Sequence, residues 1–357
     1  MSDFPTTPEI SSPVVGQLLG QLRRHPKRVV FTDGEDPRVL RAAARLVAEQ
    51  AVAPILLGDR DRIRALAASH GIPLTFVHLI DPPQSGDFEL FCKRVENVGR
   101  YRHLTVGNPA EIVARPHYFG ALVVQYGQAD AVVGGNKSST SAFFRALIQT
   151  IKPIPNIPKI FATTLLHGAH LRHFGGDGLL FLADCSLIPQ PTVEELAVIA
   201  LETGKLARHL LGRTPRVALL SHSTRGSSTT PDAKRMAAAT ALARSQAAAE
   251  FLEIEIDGEL QADVALDPAA AEIKLPGADV RRSADVLVFP NLDAAHISLK
   301  LLEHCAGAQS YGQIVLGLAR PAAHVPLTAS EETLFGTAAV VAVEAIKYHL
   351  LYPDADY

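Results

Sequence analysis

Short apolar runs alternate with helical patterns along most of the 357-residue chain. Arg28–Thr32 (RVVFT) is β-branched and stops at Asp33-Gly34, as a strand running into a turn does. Pro37–Gln50 follows with Pro in its first turn and Val39, Leu40, Ala43, Leu46 and Val47 on one helical face. Ala53–Leu57 predicts a second strand, Arg60–Ser69 a helix and Thr75–Ile80 a third strand. Further strands are expected at Ala131–Gly134, Lys159–Leu165, Leu179–Ala183, Arg216–Leu220, Leu252–Ile256, Val286–Phe289 and Gln313–Leu316. Helices are expected at Val193–Leu211, behind a Thr192-x-x-Glu195 capping box, at Pro231–Phe251 and at Leu334–Leu350. This βαβ order predicts an α/β protein with a mostly parallel sheet covered on both faces. Ile151–Lys159 (IKPIPNIPK) carries three prolines, cannot continue a helix and reads as a connector between two domains, which the length also favours. The first dozen residues read as poorly ordered.

Composition acts mainly by exclusion. A formal net charge of −3 offers no basic field for nucleic acid. No apolar run reaches membrane-spanning length and the polar start has no signal core, so a cytoplasmic protein without a membrane partner is expected. Cys92, Cys185 and Cys305 lack CxxC or metal-ligand spacing and read as buried thiols in a reducing compartment. The histidines form no HExxH pair, and no GxSxG elbow, P-loop or GxGxxG fingerprint is present. These absences argue against a serine hydrolase, an NTPase and a dinucleotide-binding dehydrogenase.

The stretch richest in chemistry is Ala131–Lys152 (AVVGGNKSSTSAFFRALIQTIK). Gly134 and Gly135 permit a sharp turn, and Ser138, Ser139 and Thr140 stand where a helix begins. Free N–H groups, hydroxyls and the positive end of the helix dipole then converge as an anion site, with Arg145 farther along the helix. The same pattern also describes an ordinary capped strand–turn–helix junction. Ser221–Ser227 (SHSTRGS) follows an apolar strand and belongs at the carboxyl edge of a sheet, where ligands of open α/β sheets bind. Asp257, Glu259, Gln261 and Asp263 cluster after another strand. Capping of a helix near Glu259 is expected there rather than metal binding, because the spacing matches no metal loop. His296 is expected on the first turns of a helix in a structural role.

Together these stretches resemble the phosphate acetyltransferase (phosphotransacetylase) family. The resemblance rests on RVVFTDGEDPRVLRAA, the Ala131–Lys152 segment, LADCSLIPQPTVEELAVIA, RVALLSHSTRGS, IDGELQADVAL, ADVLVFPNLDAAHISLKLL and YGQIVLGLARP, in that order. ADCSLIPQPT looks closest to the short, single-function type. The resemblance implies a two-domain α/β/α sandwich of the isocitrate and isopropylmalate dehydrogenase kind. The first domain would comprise 1–155 plus 317–357, with a second domain, 156–316, inserted in it and an active-site cleft between them. It also implies a homodimer that moves an acetyl group between CoA and phosphate, with no metal and no cofactor beyond these substrates. The CoA thiolate would attack the acetyl carbonyl and phosphate would leave.

Carried over by position, Asn136, Ser138, Ser139, Thr140 and Arg145 match the phosphate-contacting loop and helix. Ser221, Ser223, Thr224 and Gly226 match a serine-rich turn by the cleft, and Arg100 or Arg102 would supply a second arginine. The chain departs from the pattern after Pro321. Where the family has a Ser-Arg-Gly triplet and then an aspartate proposed as thiol base, Pro326, Leu327, Thr328 and Thr333 stand here. AHVPLTASEE resembles instead the phosphotransacetylase-like domain of large malic enzymes, which is thought to sense acetyl-CoA. Two readings follow: a transferase in which Glu331 or Glu332 serves as base and His324 binds phosphate or stabilises charge, or a regulatory homologue that binds acetyl-CoA or acyl phosphate with little or no catalysis.

Overall fold

The computed structural model describes residues 13–102, 107–175, 178–277 and 282–346. The N-terminal dozen and residues 347–350 of the last expected helix lie outside the described residues. The side chains of residues 13, 98–102 and 169 lie outside them too.

Described strands run β1 (Lys27–Phe31), β2 (Val52–Leu57), β3 (His78–Ile80), β4 (Ala131–Gly134), β5 (Phe161–His167), β6 (Leu179–Ala183), β7 (Arg216–Leu220), β8 (Glu255–Leu260), β9 (Val286–Val288), β10 (Gln309–Leu316) and β11 (Ala322–His324). The helices are α1 (Pro13–Arg24), α2 (Pro37–Ala48), α3 (Arg60–Ser69), α4 (Phe88–Arg102), α5 (Pro109–Val113), α6 (Pro116–Gln125), α7 (Thr140–Thr150), α8 (Val193–Leu211), α9 (Pro231–Ala249), α10 (Ala262–Leu266), α11 (Pro268–Lys274), α12 (Leu292–Cys305) and α13 (Glu331–Ile346). The chain divides into two compact units, Met1–Pro155 with Leu318–Tyr357, and Asn156–Gly317.

In the first unit the strand order is β3-β2-β1-β4-β11, with every pair parallel. β4 is buried end to end and β1 over Val29–Phe31, as strands covered on both faces must be. α13 packs on α1, α2, β1 and β4, and it is buried all round from Thr333 to Glu344. In the second unit the order is β10-β5-β6-β9-β7-β8. The expectation of a mostly parallel sheet holds here for β6, β9, β7 and β8. β5 runs antiparallel to both β10 and β6, which makes the sheet mixed. Residues 168–178 join β5 to β6, fewer than the dozen or more that a parallel crossover takes.

Local signals hold at several helix starts. Asp36 caps α2, Ser139 caps α7, and Thr192 and Glu195 form the reciprocal capping box of α8. Two strand boundaries differ from expectation. Phe76 adopts a left-handed φ of 62°, which breaks the expected strand and leaves only His78–Ile80 paired. Phe251, at φ 53°, turns the chain after α9, so the strand begins at Glu255 and takes in the acidic segment. Of the three thiols only Cys185 is buried; Cys92 is half-buried and Cys305 exposed.

Candidate functional site

In the first unit, loops leave the carboxyl ends of β1, β4 and β11 side by side. His324 of β11 pairs with Gly134 of β4, and Phe31 of β1 pairs with Val133. The crossing is too tight for any side chain at the glycines. A Cβ at Gly134 would lie 1.9 Å from Thr32 Oγ1, and one at Gly135 would lie 2.4 Å from the His324 ring. Gly135, at φ 113°, turns the chain, and its N–H donates to Asp33 Oδ2 at 2.9 Å. Asn136 is buried and donates to Asp36 Oδ2 at 3.0 Å. Arg38 ties the neighbourhood together: it pairs with Asp36 at 2.7 Å and donates to the carbonyls of Leu327 and Ala329 at 2.9 and 2.8 Å.

The three expected hydroxyls sit at the start of α7 with different duties. Ser139 spends its oxygen on the cap, accepting from the Ala142 N–H at 3.3 Å. Thr140 is exposed in the first turn. Ser138 Oγ is buried and makes no hydrogen bond among the described residues, an uncompensated polar atom of the kind a ligand satisfies. Arg145 is exposed on α7 and forms no ion pair among the described residues, so its charge is available to an anion.

Several expected roles change. Glu331 pairs with Arg41 at 2.9 Å and Glu332 pairs with Arg45, both across to α2, so neither is an uncommitted base. Thr333 is buried in the first turn of α13, its N–H donating to Ser330 Oγ at 3.0 Å. Leu327 is 60% exposed, an apolar side chain where the resemblance implies an arginine. Asn136 is a brace for the turn rather than an outward donor. The side chain of Arg100, at the end of α4, lies outside the described residues.

His324 is also corrected. Its ring is buried, stacks on Phe144 at 5.2 Å and touches Phe143. Burial pushes its pKa down to about 4, so at neutral pH it carries no charge to offer phosphate. An unfolded histidine takes up its proton near pH 6.5, so between about 6.5 and 4 the unfolded state binds more protons. Stability therefore falls as pH drops through that window, by about 3 kcal/mol from this residue alone. His324→Gln is expected to remove that slope. Denaturant midpoints of variant and wild type at pH 7 and pH 4.5 check it.

In the second unit the serine-rich turn after β7 is built around Glu259, which corrects both the capping role and the ligand roles expected here. Glu259 Oε1 accepts from Ser223 Oγ at 2.8 Å and from the Gly226 N–H at 2.7 Å. Thr224 Oγ1 donates to Gln261 Oε1 and accepts from the Gln261 N–H at 3.1 Å. Ser221 Oγ accepts from the Ser223 N–H. Ser221, Ser223, Thr224 and Gly226 thus shape the turn with groups already engaged inside the protein. Asp257 faces three guanidinium groups, Arg244 at 2.7 Å, Arg225 at 3.1 Å and Arg216 at 3.6 Å. The helix after β8 starts at Ala262, without a side-chain cap from Gln261. His296 lies in the early turns of α12 as expected, and its side chain is exposed. Among the described residues no group of three or more His, Cys, Asp or Glu is placed to hold a metal ion.

The model of the phosphate acetyl/butaryl transferase family matches residues 14–342. The chain belongs to that family. A phosphate acetyltransferase of Thermoanaerobacterium thermosaccharolyticum is 32% identical over 332 residues, spanning 93% of this chain and 99% of the relative. The crystal structure of a phosphotransacetylase from Streptococcus pyogenes superposes with a TM-score of 0.83 at 31% identity, covering 94% of this chain and 98% of that one. A 4-hydroxythreonine-4-phosphate dehydrogenase from Klebsiella pneumoniae, 14% identical, aligns over 89% of this chain and 99% of its own with a TM-score of 0.52, a likeness of fold alone. In this family member the Gly134–Arg145 segment stands out in the sequence, whereas Asp33, Asp36 and Arg38, which hold the turn in place, have as their only signal the acidic turn DGED at the end of the first strand.

Proposed function

We propose that this chain catalyses reversible transfer of an acetyl or closely related acyl group between CoA and phosphate. The observation that carries the reading is the buried Ser138 hydroxyl at the start of α7, which has no hydrogen-bond partner among the described residues, with Arg145, which forms no ion pair among them, on the same helix. That arrangement gives an anion N–H donors, a hydroxyl and a full positive charge. Near-full-length similarity to named phosphate acetyltransferases supports catalysis over a regulatory role. The reaction needs no cofactor beyond its two substrates. A homodimer in the cytoplasm and a two-domain arrangement of the isocitrate dehydrogenase kind are parts of the same proposal.

In this reading Ser138, Thr140 and the α7 N–H groups hold phosphate or the phosphate end of the acyl phosphate, and Arg145 neutralises charge that grows on the departing oxygen. Exposed Leu327 supplies no charge, so α7 supplies the cation. Thiol release from acetyl-CoA, compared with propionyl-CoA and butyryl-CoA and with a phosphate-free control, tests the function. Phosphate-dependent release is expected; saturable acetyl-CoA binding without release would return the regulatory reading. Arg145→Ala is expected to raise the KM for phosphate or CoA by roughly 10- to 100-fold, the worth of a hydrogen bond to a charged group. Unchanged KM for both would remove Arg145 from the site.

A further inference from the structure

Attack by a thiol requires something to take its proton, because the thiolate is the nucleophile. Three acids lie in the DGED turn that follows β1, and two are committed elsewhere. Asp36 is paired with Arg38 and caps α2. Glu35 Oε1 accepts from the Asp59 N–H, and Oε2 lies 3.8 Å from Arg62. Asp33 has no ion-pair partner among the described residues.

We propose that Asp33 is the proton acceptor of the transfer, with Oδ1 taking the proton of the CoA thiol. The inference rests on the acyl-transfer reading above. Its support is geometric. Oδ2 accepts two hydrogen bonds, from the Gly135 N–H at 2.9 Å and from Thr32 Oγ1 at 3.1 Å, which fix the carboxyl against the glycine turn. No donor reaches Oδ1 among the described residues, and Asp33 is only half-buried, so that oxygen is open to a ligand. One oxygen pinned and one open is the arrangement a general base needs. The turn that Asp33 grips leads directly into Ser138 and Thr140.

The surrounding charges favour the same role. Burial raises the Asp33 carboxyl above the ordinary range; the Gly135 N–H, the Thr32 hydroxyl and Lys137 pull it down and Asp36 pushes it up, with a net rise. Arg38 also lies within electrostatic reach. His324, on the other side of Gly135, is neutral, and the first turn of α7 carries no acid. A carboxylate of raised basicity is a better proton acceptor at neutral pH.

In the direction of thioester synthesis, the S–H proton passes to Asp33 Oδ1 and the sulfur pair forms the bond to the acyl carbon. The bond from that carbon to the phosphate oxygen breaks with its electrons left on oxygen. That oxygen then takes the proton from Asp33, releasing hydrogen phosphate and restoring the carboxylate. The reverse direction runs the same transfers backwards.

The test follows thioester formation from acetyl phosphate and CoA across pH 6–9.5 in wild type, Asp33→Asn and Asp33→Glu. A wild-type protein silent in both directions overturns the acyl-transfer reading and this inference with it. With wild type active, Asp33→Asn is expected to lower kcat about a hundredfold at pH 7 with little change in the KM for acetyl phosphate. The deficit should shrink as pH rises past about 8.5, where the free thiol ionises unaided, and Asp33→Glu should recover part of the rate. A deficit constant with pH, or one lying in KM, would mean that Asp33 only braces the turn, and an unchanged rate would dismiss it outright. If Asp33→Asn does not fold, the wild-type and Asp33→Glu profiles decide: a displaced acid limb supports the inference and superimposable limbs overturn it.

Discussion

Gly135→Ala is expected to lose about 3 kcal/mol or more of stability and, where protein still folds, more than about a hundredfold in transfer rate. The residue sits at φ 113°, which L side chains rarely adopt. Its Cβ would lie 2.4 Å and 2.6 Å from two atoms of the His324 ring and 2.7 Å from the Val325 carbonyl oxygen. The ring has no room to retreat, because Phe143 and Phe144 stand against it. Relief must come from the backbone, which moves the Gly135 N–H off Asp33 and shifts the Ser138 hydroxyl with it. Denaturant midpoint and phosphate-dependent thiol release are the two measurements. A variant matching wild type in both would show that the turn is neither tight nor part of the site.

Glu344→Gln should stabilise the protein increasingly as pH rises. Glu344 is 2% exposed in α13, and its Oε2 makes no hydrogen bond among the described residues. Burial pushes its pKa up to about 8. An unfolded glutamate ionises near 4.5, so between about 4.5 and 8 the folded state holds a proton that the unfolded state has released. Stability from this group is therefore complete below about pH 4.5 and is lost as pH climbs towards 8. The integrated change is about 5 kcal/mol. Glutamine keeps the shape and cannot ionise, so the gap between variant and wild type should widen from pH 5 to pH 8 and then level off. A pH-independent gap would mean that the carboxyl is solvated. The opposing slope from His324 offsets this loss between about pH 4.5 and 6.5, so the two groups together leave the protein most stable in that mildly acidic window.

Much of the candidate site was legible because its signals are local. A glycine pair after a β-branched run, followed by hydroxyls and an apolar helical stripe, describes β4, its turn and α7 from adjacent residues alone. The capping residues Ser139 and Thr192 reported helix starts for the same reason. Short or polar elements escaped. β11 is three residues long and too brief for periodicity to show. β8 carries Asp257 and Glu259, acids that read as loop until Arg244, Ser223 and the Gly226 N–H are brought to them.

The sequence by itself determined the α/β class, the position of the longer helices and of most parallel strands, the glycine and hydroxyl turn before α7 and the family, all of which depend on patterns within a few residues or on their order along the chain. Tertiary structure alone decided which groups are free to act. Arg41 and Arg45 claim Glu331 and Glu332 from about 290 positions away. Asp33 meets Gly135 across 102 positions, and the two phenylalanines of α7 bury His324 until it is neutral. A side chain's charge and availability depend on its neighbours in space, and long-range packing sets those neighbours.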